Sequence, residues 1–149
     1  MRRGRQWATD EEGSAALELI TAGVLLLVPL VYLVIALGTI QEQTLGAEAA
    51  ARHTARAIGQ APDAAAAAAR AEAVLASVRE AYGLDDVDVV LDCAPAGGEC
   101  PRAGAVVTVT VRTRVTLPLV PPLGGLDRIT AIPIEASAAQ QVSRRWGAG

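Results

Sequence analysis

Hydrophobic and polar positions divide the chain into three regimes. Residues 19–40 form an apolar run of 22 residues without a charged side chain. As a helix it would be roughly 33 Å long, against a bilayer hydrocarbon core of about 30 Å. No second run of that length follows, so the pattern predicts a single membrane span, kinked at Pro29, whose missing N–H removes one backbone hydrogen bond. Residues 41–58 (QEQTLGAEAAARHTARAI) continue in helix-forming residues and read as an amphipathic stalk ending near Gly59, with Gly46 a weak point of about 1 kcal/mol relative to alanine. Gln60, Ala61 and Pro62 break the helix.

A second helix is announced by Asp63 as N-cap and stops at Gly83 after Tyr82. Ala71, Val74, Leu75, Val78 and Tyr82 recur on one of its faces. The alanines at 64–69 are helix formers and need no other reading. From Val87 the period becomes two. Val87, Val89 and Leu91 alternate with Asp88, Val90 and Asp92, and Val107, Val109, Val111, Val115 and Leu117 alternate with threonines and arginines. A third strand falls on Ile132, Ile134, Ala136, Ala138 and Val142, after a turn-rich segment at 118–128. The expected fold is α+β: a long N-terminal transmembrane and stalk helix, a second helix, and a small antiparallel three-stranded sheet with one helix or the other across its apolar face.

Composition narrows the function classes. The chain has 149 residues, room for one modest domain and an anchor, and its hydrophobic fraction of 52% is largely alanine and the apolar run. Phenylalanine is absent and aromatics make up 3%, so the core rests on Val, Leu and Ile, which favours strands over an aromatic-lined ligand pocket. A net charge of -3, without a basic cluster interleaved with aromatics, leaves nucleic-acid binding without a footprint. His53, the single histidine, stands between Arg52 and Thr54 on the stalk, and no nucleophile, metalloprotease or phosphate-loop motif accompanies it. Asp85, Asp86, Asp88 and Asp92 lack EF-hand spacing and fit a turn and an outward strand face. The expected protein is not an enzyme and has no cofactor or metal. Cys93 and Cys100 bracket the loop APAGGE between the first two strands. With no third or fourth ligand near them, a disulfide is favoured over a metal site if the domain lies outside the cytoplasm.

Orientation follows from Arg2, Arg3 and Arg5 before the run, against a following segment 41–46 that carries only Glu42: N-terminus inside, C-terminal part outside. A cleaved secretory signal is the competing reading, with Ala47, Glu48 and Ala49 as a cleavage site, but its apolar region should run only about 7 to 15 residues.

One residue fits no plain anchor. Glu18 lies at the edge of the apolar run, where a carboxylate is penalised, although less than at a helix centre. The stretch Gly13-Ser14-Ala15-Ala16-Leu17-Glu18 would make Glu18 the fifth residue of a chain cut after Gly13. That spacing resembles type IV pilin-like precursors, which a prepilin peptidase cuts after the glycine on the cytoplasmic side. Cutting would expose an α-amino group on Ser14, largely protonated near neutrality, and pairing with Glu18 of a neighbouring subunit would fix register in a low-dielectric bundle. Asp10, Glu11 and Glu12 stand where many prepilins have a basic residue.

The opening GSAALEL, the single span, the alanine-rich stalk, VTVTVRTRVTLPLVPPLGGL and then ITAIPIEASAAQQVSRR together resemble the TadE-like pseudopilins of tight-adherence (Tad/Flp) pilus systems. Major Flp pilins are similar at the N-terminus but much shorter. The resemblance implies a leader at 1–13, a transmembrane helix and stalk at 14–59 and an extracytoplasmic domain at 60–149. It also implies a place in the cytoplasmic membrane or in an extracellular pilus. The expected partners are the membrane, the prepilin peptidase, other pilins and an inner-membrane assembly platform. The alternative is a single-pass anchored domain that binds an envelope partner, with Glu18 incidental.

Overall fold

The computed structural model describes residues 8–118 and 131–147, with side chains from residue 14 onward. The charged flank at Arg2, Arg3 and Arg5 and the apolar 120–126 loop lie outside the described residues. The elements run α1 (Ala8–Gly59), α2 (Ala64–Tyr82), β1 (Asp88–Ala94), β2 (Val106–Val115) and β3 (Ile132–Gln141), the α+β order expected. Contacts divide the chain into two compact units, Met1–Leu37 and Gly38–Gly149.

In the first unit the described side chains of α1 are exposed except Tyr32, half-buried, and Ala36, buried. Leu19, Leu25 and Leu26 expose 76, 71 and 74% of their surface, so this is not the core helix of a soluble domain. Ser14–Gly59 holds the one helix among the described residues long and apolar enough to cross a membrane. Pro29 lies within α1, and the Thr21 hydroxyl donates to the Leu17 carbonyl at 2.7 Å, so it is satisfied inside its own helix.

In the second unit the same helix changes character. Ala47, Ala50, Ala51, Thr54, Ala55 and Ile58 are buried at the three-and-four spacing of one helix face, while Arg52, His53 and Arg56 stay exposed. Alanine keeps that face flat enough for close approach, and the two glycines show how close. A Cβ placed on Gly46 would lie 2.7 Å from Tyr82 Cβ, and one on Gly59 would lie 2.6 Å from Gln140 Cγ and 2.9 Å from the Gln141 carbonyl oxygen. Gly46 is thus more than the weak point its helix propensity suggests: it is where α2 meets α1.

The ends of α2 are set locally. Asp63, in extended backbone, accepts the Ala66 N–H at 2.8 Å, and Gly83 at φ 61° takes the left-handed conformation that ends the helix, its N–H donating to the Arg79 carbonyl. Asp63→Ala is expected to cost about 1 kcal/mol through the lost cap, measured as a lower urea midpoint of the full chain in detergent micelles; an unchanged midpoint would show that the cap is dispensable. Of the face read from the sequence, Val78 is buried and Ala71, Val74, Leu75 and Tyr82 are half-buried.

The sheet has the order β1-β2-β3, antiparallel throughout, with Val109 opposite Leu91 on one side and Ala138 on the other. Val107, Val109, Val111 and Val115 of the central strand are fully buried. They share one core with the alanine face of α1 and with Ala67 and Val78 of α2, so both helices contribute to the cover of the sheet. In β1 and β2 two positions depart from simple alternation, and in β3 Ile132, read as part of the buried face, is exposed at the strand's first position. Leu91 has the parity of Val89 and Cys93 but is 43% exposed, because β1 is an edge strand with a neighbour on one side only. Thr113 takes a core position between Val111 and Val115, where its shape suits the packing while its hydroxyl finds no partner among the described residues. On the outer face Arg112 stands opposite Asp88 and Glu135 and donates from Nε to Glu135 Oε2 at 2.7 Å. That hydrogen bond, and then the Glu135 charge, raise the guanidinium above its ordinary pKa. Both partners are more than half exposed, so the pair adds little to stability.

The chain end closes the unit. Ser143 N–H donates to the Gly59 carbonyl at 2.9 Å and Gly147 N–H to the Pro62 carbonyl at 2.7 Å, placing residues 143–147 at the α1–α2 turn. Val142, read as the end of the third strand, lies one residue beyond it, buried, with its N–H on the Ala105 carbonyl at 2.8 Å.

Candidate functional site

Gly13, Ser14 and Glu18 all lie in α1, which runs unbroken through Gly13 and Ser14. Ser14 and Glu18 are four residues apart, so they share a helix face with a rise of about 6 Å between them. Both are exposed, and the Glu18 carboxylate has no hydrogen bond or ion pair among the described residues. Leu17 and Leu19 beside it are 67 and 76% exposed. The geometry is that of a charge at the mouth of an apolar surface, open to a group supplied from outside the chain.

The second cluster is the loop between β1 and β2. The Cys93 and Cys100 Sγ atoms are at bonding distance, 2.04 Å, with Cα atoms 5.8 Å apart. Cys93 sits in β1 opposite Val107, which anchors one end of the ring to the central strand. Gly97 and Gly98, at φ 100° and 84°, supply the left-handed turn inside it. Arg102, two residues past the bridge, donates to the carbonyls of Pro95 and Gly97. The loop is therefore fixed twice, by the bridge and by a guanidinium reaching back into it. The arginine's part was not read from the sequence, where a single arginine after a cysteine gives no signal of its target.

His53 is exposed and borders a shallow cleft between α1 and α2 with Arg56, Gln60, Val74 and Ser77. Among the described residues, no hydrogen bond joins His53 to Ser77 and no carboxylate lines the cleft. Asp85, Asp86, Asp88 and Asp92 are all exposed along the start of β1. Among the described residues no three His, Cys, Asp or Glu side chains converge as a metal-ligand set would.

Compared with known proteins, the chain matches no family model, no curated protein and no solved structure.

Proposed function

We propose that this chain is a membrane-anchored, non-enzymatic subunit of a pilus-assembly apparatus, of the TadE-like pseudopilin type, cut after Gly13 by a prepilin peptidase. The observation that supports it most is the spacing from Gly13 through Ser14 to Glu18 at the head of a bare apolar helix, with the carboxylate exposed and unpaired. In this reading residues 19–40 lie in the cytoplasmic membrane, the arginine-bearing N-terminus stays inside and the α+β unit faces outward. The Ser14 amino group made by cleavage meets Glu18 of an adjacent subunit. Because α1 is helical through residue 13, the peptidase must unwind a turn to reach the scissile bond, and glycine is the residue that resists this least, short of proline. The buried alanine face joins the end of the helix to the sheet unit, so a subunit held by its membrane helix also presents that unit.

The test is the N-terminal sequence of the mature protein from cells with and without the prepilin peptidase. A start at Ser14 that depends on the peptidase is expected, and Glu18→Ala should leave insertion intact while lowering incorporation into a filament several-fold. An intact Met1, or incorporation unmoved by Glu18→Ala, would end this reading. The second reading is an anchored extracytoplasmic binding domain, favoured by the exposed loop that the Cys93–Cys100 bridge and Arg102 hold in one shape. It predicts the intact Met1 and partner binding that depends on residues 94–99.

A further inference from the structure

The cleft between α1 and α2 is walled by two stripes at helical spacing: His53, Arg56, Ala57 and Gln60 from the end of α1, and Val74, Ser77 and Val78 from α2. Its volume of about 410 Å³ falls within the range of small-ligand sites, roughly 300 to 1,000 Å³. The apolar part of the lining is Ala57, Val74 and Val78, with Val78 buried. The polar part consists of groups that can all donate: the Arg56 guanidinium, an imidazole N–H of His53 in either charge state, the Gln60 amide and the Ser77 hydroxyl.

None of these four side chains has a hydrogen bond or ion pair among the described residues. Arg52, one turn earlier on α1, differs, because Glu48 takes its guanidinium. Arg70 brings a second guanidinium beside the lining, its Nη1 donating to the Gln60 carbonyl at 3.3 Å. The carboxylates of the two helices beyond the apolar run, Glu42, Glu48, Glu72 and Glu80, all lie outside the lining. A chain of net charge -3 thus gathers cationic and donor groups around one apolar patch and keeps its acids away from it. Such a surface is complementary to an anion that carries a compact apolar body.

We propose that this cleft binds a small phosphate monoester, with the phosphate held by Arg56, His53, Gln60 and Ser77 and the organic group resting on Ala57, Val74 and Val78. Phosphate is favoured over carboxylate by the number of donors: three terminal oxygens accept from several directions, and the Arg56 fork can meet two of them at once. Membrane headgroups offer the same chemistry, so height decides the source. With residues 19–40 in the bilayer, His53 and Arg56 stand about 20 to 24 Å further along α1, and still about 15 Å out at a helix tilt of 40°. The headgroup layer is only about 5 to 8 Å deep on each side. The ligand is therefore a free molecule and not a lipid. That exclusion uses the membrane placement given above, while the cleft itself depends neither on it nor on cleavage at Gly13.

The single histidine makes the cleft its own reporter. In the full chain in dodecyl maltoside micelles, butyl phosphate should move the His53 ring signals of the proton–carbon NMR spectrum along a saturating curve, and butanol should not. Arg56→Gln should weaken butyl phosphate at least tenfold, the loss expected for a charge-assisted hydrogen bond, and Ser77→Ala about threefold to tenfold. Arg52→Gln, off the lining, should bind as the natural chain does. In bilayer discs of phosphatidylglycerol and of phosphatidylcholine the His53 signals should coincide before butyl phosphate is added. A response that never saturates, an equal response in Arg56→Gln, or tighter binding of pentanoate than of butyl phosphate would overturn the proposal. A His53 shift in phosphatidylglycerol discs alone would assign the cleft to a headgroup and overturn it too. A chain that stays out of the discs would remove the membrane reading, and the titration in micelles would still decide the cleft.

Discussion

Replacing Gly46 with alanine is expected to destabilise the α+β unit by about 1 to 3 kcal/mol, the cost of forcing a methyl group into an already filled contact. Intrinsic propensity argues the opposite sign, since alanine favours a helix over glycine by about 1 kcal/mol. The contact decides between them. The added carbon would lie 2.7 Å from Tyr82 Cβ and 2.8 Å from its Cγ, the stem of the side chain and not its mobile end, so relief requires α1 and α2 to separate. Urea unfolding of the full chain in detergent micelles, followed through half-buried Trp146, should show a lower midpoint with an unchanged slope. Gly46→Leu should be worse. In a Tyr82→Gly background, where both Cβ and Cγ are gone, the penalty should shrink. A raised midpoint for Gly46→Ala would mean that propensity governs this site and that the two helices do not meet as described.

Cys93→Ser with Cys100→Ser is the other large loss expected. The bridge closes a ring of eight residues, and the chain-entropy relation gives about 2.5 kcal/mol for constraining it in the unfolded chain. Because Cys100 is exposed, a reductant should reach the bond in the folded protein. Dithiothreitol should therefore lower the midpoint of the natural chain to that of the double variant and leave the variant unmoved. An insensitive natural chain would show that the bridge is absent in solution. If both lost nothing, the ring would have to be held by Arg102 and the flanking strands alone.

The parts of the fold read most directly from the sequence depend on local chemistry. Asp63 and Gly83 bracket α2 because an N-cap and a left-handed glycine act within a few residues of themselves. The valine face of β2 is legible because a half-buried strand repeats every second residue. Features that depend on distant partners were less visible. Gly46 reads as a weakness until Tyr82, 36 positions on, is known to press against it. Leu91 and Val89 have the same parity, and only the strand order tells that β1 is an edge. Thr113 looks polar in the sequence, yet it occupies a valine-shaped place. At the candidate site the spacing of Gly13, Ser14 and Glu18 is plain, but a single chain shows only one side of any pairing it makes with a neighbour.

The buried alanine face of α1 also sets an order of events during synthesis. Residues 47–58 are made early, while the valines of β2 and the closing bonds from Val142 and Ser143 come roughly 50 to 95 positions later. At ribosomal rates of about 5 to 20 residues per second, the face waits uncovered for several seconds to almost twenty. A leucine-rich stripe held open that long would invite wrong partners. Alanine, which offers little apolar surface and folds into helix unaided, can wait for its sheet, so the residue type that permits tight packing at the end also keeps the nascent chain inert until the last strand arrives.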